Sequence, residues 1–213
     1  MSRSVIAQLR DIVPLRPLTR HEALSIAERQ ALMLRKLLDV PGPTIHEFQL
    51  ADLPRIEILR KSPWPVSGAT QWVNGRWIIV LNGGESARRQ RFSLCHELKH
   101  IIDHPFVDII YRGIDENERH AWIEQVCDYF SGCLLMPRPA LKRAWTTGQQ
   151  DLPSLAAAFN VSHAAMNTRL SQTGLAEPTG RCSHGDVALK RAIANIRSSN
   201  TYHRQAPEPV PVT

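Results

Sequence analysis

The sequence predicts an α+β fold in which a small antiparallel sheet packs on helices, followed by a C-terminal helical segment. Three observations carry this expectation. Two β-prone runs, Ala69 to Val73 and Arg76 to Leu81, flank Asn74-Gly75, the residue pair that closes a two-residue hairpin. Two long stretches, Ser86 to Asp103 and Asp115 to Met136, place apolar residues with helical period. After Pro137 come only short helical patterns separated by turn residues.

Thr19 to Leu38 is expected to be an amphipathic helix. Thr19 and Glu22 have capping-box spacing, and Ala23, Ile26, Ala27, Leu34, Leu37 and Leu38 supply the stripe. Pro41-Gly42-Pro43 ends it. Arg55 to Leu59 alternates around Ile56 and Ile58 as a further strand. Asn82-Gly83-Gly84 closes the hairpin's second arm, and the helix from Ser86 follows. Pro105 to Ile114 is read as a loop. The next helix starts near Asp115, with Glu118 as capping partner, and Pro137 marks its end. Shorter helices are expected at Ala140–Trp145, Ser154–Phe159 and Ser162–Leu170.

These elements divide the chain into an N-terminal helical segment (1–44), a core (45–147), a helix-turn-helix-like C-terminal segment (148–198) and a tail (199–213). Pro207, Pro209 and Pro211 give the tail the composition of a disordered segment.

Composition narrows the function classes. With 43% hydrophobic and 22% charged residues, global disorder is excluded. No run approaches the roughly 20 apolar residues of a membrane span, and Arg3, Arg10 and Asp11 interrupt the start where a secretory signal would be apolar. Four cysteines in 213 residues make no disulfide framework. Buried thiols in a reducing compartment, hence the cytoplasm, are expected. The net charge of +6 is concentrated after Pro137, with nine Lys and Arg against four Asp and Glu. That surplus suits nucleic acid or an acidic partner, but its dispersal reads as a solvated basic surface.

The chemistry lies in Arg91-Phe92-Ser93-Leu94-Cys95-His96-Glu97-Leu98-Lys99-His100. It contains H-E-x-x-H inside a predicted helix. Residues four apart share a helix face, so both imidazoles reach one ion. Neutral imidazole suits zinc, and Glu97, free of ligation, can serve as general base. Catalytic zinc usually takes three protein ligands and keeps one position open. Glu124 and Asp128 lie four apart on the next helix, beside the apolar residues Ile123, Val126, Cys127 and Phe130. Glu124 fits as third ligand, and Asp128 as acceptor for the far nitrogen of a ligand histidine. His104 is a competing third ligand. It falls a further turn along the same helix, about 5–6 Å away, so a wall position suits it better. Asp115, Glu116, Glu118 and His120 read as helix-start residues. Cys182 and His184 are closely spaced but lack the second pair of a zinc knuckle.

These residues resemble the ImmA/IrrE family of zinc-peptidase-like proteins over roughly residues 45–175. The metal helix is similar to the family's R-F-T-x-A-H-E-x-G-H. Glu124 to Pro137 resembles its E-x-x-A-N-x-F-A-x-x-L-L-M-P segment. Leu155 to Ser162, with Ala165, Arg169 and Leu170, resembles its L-A-x-x-F-x-V-S-x-x-A-x-x-x-R-L segment. The resemblance implies a zincin-like core, a zinc cofactor on His96, His100 and Glu124, Glu97 as catalytic base, and cleavage of DNA-binding repressors. Lys99 replaces the family's usual glycine and is expected to set a cation beside the metal helix, affecting substrate access. Cys95 and Cys127 replace alanines, and Asp128 stands where asparagine is common.

If the chain is an enzyme, one further donor should stabilise the oxyanion, with His104, Tyr111 and Tyr129 as candidates. Substrate is expected to add as a strand along Trp77, Ile78, Ile79 and Val80. The protein partner implied is a helix-turn-helix repressor or antitoxin-like regulator. DNA binding by the C-terminal helices is not favoured, because Arg169 is the only Lys or Arg in the second of them. The alternative is a non-catalytic zinc-containing transcriptional regulator that acts by binding DNA or a transcription factor.

Overall fold

Local chemistry places the helix starts. The computed structural model describes residues 3–175. In it, Thr19 caps α2 (Arg20–Leu37) through a complete capping box with Glu22. Ser86 caps α4 (Ala87–Asp103), Asp115 caps α6 (Glu116–Leu135) and Ser162 caps α9 (His163–Thr173). The remaining helices are α1 (Val5–Arg10), α3 (Glu47–Ala51), α5 (Val107–Ile110), α7 (Arg138–Thr146) and α8 (Leu152–Ala158). The segment read as a loop from Pro105 holds a 3-10 turn, His104–Phe106, and α5. Helices α1, α3 and α5 have four to six residues, too few for a periodic pattern to stand out. The expected tail and the Cys182–His184 pair lie outside the described residues.

Three strands form the sheet: β1 (Ile56–Lys61), β2 (Gly68–Val73) and β3 (Arg76–Asn82), in the order β1-β3-β2. Asn74 and Gly75 both adopt positive φ, 47° and 82°, and join β2 to β3 as a tight hairpin. The pairing corrects two expectations. β1 runs parallel to β3, so the sheet is mixed and not purely antiparallel. β3 is also the central strand, so Trp77, Ile78, Ile79 and Val80 are paired on both sides and cannot receive a substrate strand. Hairpin spacing specifies β2 as a neighbour of β3, but the parallel partner arrives from a distant segment that local sequence does not register.

Helix α6 is the hub. It packs against α2 on one side and α4 on the other, and α4 also lies across β2 and β3. Leu94, Leu98, Ile101 and Ile102 of α4 meet Val126, Phe130, Cys133 and Leu134 of α6 in a core that also contains Ala27, Ala31 and Leu34 of α2. Phe130 is fully buried, and truncating such a ring to alanine costs about 3–5 kcal/mol. The same core takes in Leu9, Leu155 and Met166, so it runs through the sequence positions 44/45 and 147/148.

Two charged residues turn inward. Lys99 is 1% exposed, and its ammonium donates to both oxygens of Asp103 at 2.6 Å and to Gln30 Oε1 at 2.7 Å. It therefore faces α2 and leaves the substrate side untouched, against the expectation drawn from sequence. Arg169 is equally buried. It donates to the Met136 carbonyl at 3.1 Å and pairs with Glu28 at 3.4 Å. The one guanidinium of α9 thus staples that helix to α6 and α2 and is not presented to a nucleic-acid groove.

Candidate metal centre

Helical geometry brings His96 and His100 onto one face of α4, with their Nε2 atoms 3.1 Å apart. Glu124 comes from α6. Its two carboxylate oxygens lie 3.2 Å from His96 Nε2 and 3.4 Å from His100 Nε2. Asp128, one turn further along α6, accepts a hydrogen bond from His96 Nδ1 at 2.9 Å. A carboxylate cannot donate, so a proton sits on Nδ1, which leaves Nε2 as the nitrogen that faces Glu124 and could bind an ion.

The donor set fits a zinc ion. A tetrahedral ion with Zn–N bonds of about 2.0–2.1 Å separates its donor atoms by roughly 3.3–3.4 Å. The two Nε2 atoms are 3.1 Å apart, and each has its own Glu124 oxygen at 3.2 or 3.4 Å, spacings of that order. Cys127 also approaches, its sulfur and one nitrogen of each histidine lying within 4.8 Å of one another. Glu124 is the better third ligand. Its oxygens lie 3.2 and 3.4 Å from the two Nε2 atoms and it is anionic, whereas burial pushes the Cys127 thiol well above its usual range.

The electrostatics match. Burial pulls the His96 pKa down, but hydrogen bonds with Asp128 and Glu124 overcome it and push the group up to about 9. Hydrogen bonds to His100 and His96 hold the Glu124 carboxyl well below the usual range. The two shifts are the two sides of one pairing of imidazoles with carboxylates. Glu97 points toward the sheet and is 7% exposed, and its pKa is raised by desolvation. A raised carboxyl suits a group that must take up and return a proton.

Gly68, at the start of β2, makes room for it. A Cβ there would sit 3.0 Å from Glu97 Oε1. The sequence reading passed over this glycine, although a strand glycine is a signal of close approach. It also passed over Arg89, Phe92 and Ser93, which line the same cavity as His96, Glu97, Glu124 and Asp128.

Of the three oxyanion candidates, only His104 lines the site. It borders a cavity shared with Glu97, His100 and Glu124, with its ring edge-on to Trp77 at 4.9 Å between centroids. His120, read from sequence as a helix-start residue, lines the same cavity. Tyr111 is 1% exposed in the core beside Lys99 and Asp103. Tyr129 donates to Glu28 at 3.0 Å and lies under the Arg169 guanidinium. Neither tyrosine hydroxyl is available to a substrate.

The family model for the IrrE N-terminal-like domain, Peptidase M78, matches residues 54–171, more than half of the chain and all of this site. The chain belongs to the IrrE N-terminal-like domain family. Among solved structures, a Mycobacterium tuberculosis transcriptional regulator is similar in fold. Identity is 16% and the TM-score 0.50, covering 84% of this chain and 55% of that one. The chain therefore spans about half the length of that regulator. No curated relative matches it. Family membership agrees with the α+β architecture. No helix among the described residues is long and apolar enough to cross a membrane.

Proposed function

We propose that this IrrE-like domain is a zinc-dependent endopeptidase in which His96, His100 and Glu124 hold the ion and Glu97 is the general base. The convergence of two imidazole Nε2 atoms and the Glu124 carboxylate, with a buried carboxyl beside them, is the observation that carries the reading. Zinc held there would polarise a peptide carbonyl and acidify water toward neutrality. Glu97 accepts the proton of the attacking water and delivers it to the departing amine. Asp128 holds His96 in the required tautomer. His104, which lines the cavity shared with Glu97 and Glu124, is the candidate donor to the developing oxyanion.

Substrate adds along β2, the outer strand on the α4 side of the sheet, where Gly68 lies directly over Glu97. The substrate class is a helix-turn-helix repressor or a similar regulatory protein. Membership of the family and the regulator with a similar fold support this class. The cytoplasm is the compartment where such a substrate is met, and the buried thiols of Cys95, Cys127 and Cys133 agree with it.

The rival, a regulator that keeps zinc only for structure, has no use for a buried Glu97 and would usually close its ion with four protein ligands. Its DNA-contacting version also loses Arg169 to the core. The test compares the zinc-loaded chain with Glu97→Gln on a co-expressed repressor. Cleavage by the parent, its loss in the variant and equal zinc content in both are expected. Undiminished cleavage or undiminished biological activity in Glu97→Gln would falsify the assignment.

A further inference from the structure

A second cavity, of ≈ 290 Å³, opens beside the metal centre between α4, α6 and α9. It shares Arg89, Phe92 and Asp128 with the cavity that holds His96 and Glu97, so the two adjoin. Its lining is largely apolar: Phe92 of α4, Leu135 of α6, Met136 and Val161 in the connections, and Ala165 of α9. The volume lies at the small end of ligand pockets, on the scale of a side chain and not of a cofactor.

Its rim is basic. Arg88 is exposed and donates to Asn160 Oδ1 at 3.0 Å, with no carboxylate partner among the described residues. Arg89 donates to Ser67 and stands 3.8 Å from Glu85. Arg88 therefore has the less compensated charge. The α9 wall is made of small or polar side chains, Ala164, Ala165 and Thr168, which leave the cavity open.

The geometry points to this cavity as a substrate subsite that takes an apolar side chain next to the scissile bond, with Arg88 engaging an acidic residue beyond it. The inference rests on the peptidase reading and extends it to substrate class. A peptide pairing antiparallel to β2, the commoner and slightly more stable arrangement, runs from the Trp72 end toward Gly68. It then passes Ser67, which Arg89 of the cavity rim contacts, and reaches the cavity. The residue following the scissile bond is therefore the occupant. Helix α9, whose sequence suggests the second half of a helix-turn-helix, becomes the wall that chooses substrate.

Peptide amides capped at the N-terminus by a hydroxamate test this without catalysis, since the cap binds zinc and the first residue probes the cavity. Titration calorimetry on the zinc-loaded full chain compares Leu-Glu, Gly-Glu and Leu-Lys probes with acetohydroxamate. Leu-Glu should bind at least about tenfold more tightly than Gly-Glu, the scale on which a filled apolar pocket discriminates. Ala165→Phe should erase that gain and leave acetohydroxamate unchanged. Thr168→Trp, at an exposed position on the lip, provides the same readout if Ala165→Phe lowers the melting temperature. Arg88→Glu should turn a preference for Leu-Glu over Leu-Lys into its reverse. Equal affinity for the leucine and glycine probes, or gains that survive both α9 variants, overturns the subsite while the metal centre stands. Failure of acetohydroxamate itself to bind overturns the metallopeptidase reading and the subsite with it.

Discussion

Replacing Asp128 with alanine isolates the hydrogen bond that orients His96. Asp128 makes one contact of consequence, the 2.9 Å bond to His96 Nδ1, and its side chain is 63% exposed. Removing the acceptor behind a ligand histidine costs 10–100-fold in metal affinity, and solvent that can replace it places this case near about tenfold. Asparagine keeps an acceptor oxygen without the charge, so Asp128→Asn should lose less than alanine. The size of the loss should depend on pH. The same carboxylate helps raise His96 to about 9, and below that pH protons compete with zinc for the imidazole. Removing Asp128 relieves some of that competition. The affinity gap between parent and variant should therefore narrow at pH 6–7 and widen toward pH 9. Competition against a chromophoric chelator at fixed ionic strength measures both affinities. Thermal melting of the metal-free proteins should show only a small loss below pH 9, since the Asp128 side chain of the pair is exposed. Identical zinc affinities for parent and Asp128→Ala across this pH range would refute the role given to the α6 carboxylates.

Three further outcomes are expected. Gly68→Ala places a methyl 3.0 Å from Glu97 Oε1, so it should lower turnover while leaving zinc stoichiometry unchanged, as metal analysis beside a cleavage assay would reveal. Lys99→Met leaves Asp103 buried without its ammonium. Denaturant unfolding should give a loss near the lower end of about 3–5 kcal/mol, because Arg10 still acts on Asp103, and the double variant Lys99→Met/Asp103→Leu should recover much of it. Hydrogen bonds from Arg16 and then Thr19 lower Glu22 to about 2. A depressed carboxylate stabilises the fold above its unfolded pKa and loses that contribution as pH falls toward 2. Acid titration should therefore show a later unfolding midpoint in the parent than in Glu22→Gln at equal salt; coincident curves would contradict the pairing.

Patterns confined to a few consecutive residues were legible in the sequence. Asn74-Gly75 specified its hairpin because positive φ at two successive positions is cheap for that pair. Thr19 and Glu22 marked the start of α2 through bonds within one turn. The 3.6-residue period put His96 and His100 on one face, whatever packs against it. Short helices such as α1 and α3 escaped because five or six residues hold too little periodicity to separate them from loop.

The sequence by itself thus determined the two imidazoles, the base between them, and a following helix that offers carboxylates. Tertiary structure alone decided the rest. The register of α6 on α4 brought Glu124 to the free side of both rings and Asp128 behind one of them. The parallel docking of β1 closed one flank of β3 and left β2 as the edge strand packed on α4. Packing of α2 and α6 drew Lys99 and Arg169 inward to Gln30 and Glu28 of α2, 69 and 141 residues away. Periodicity fixes which side chains share a face; what that face meets depends on contacts between distant segments, and no local pattern encodes those.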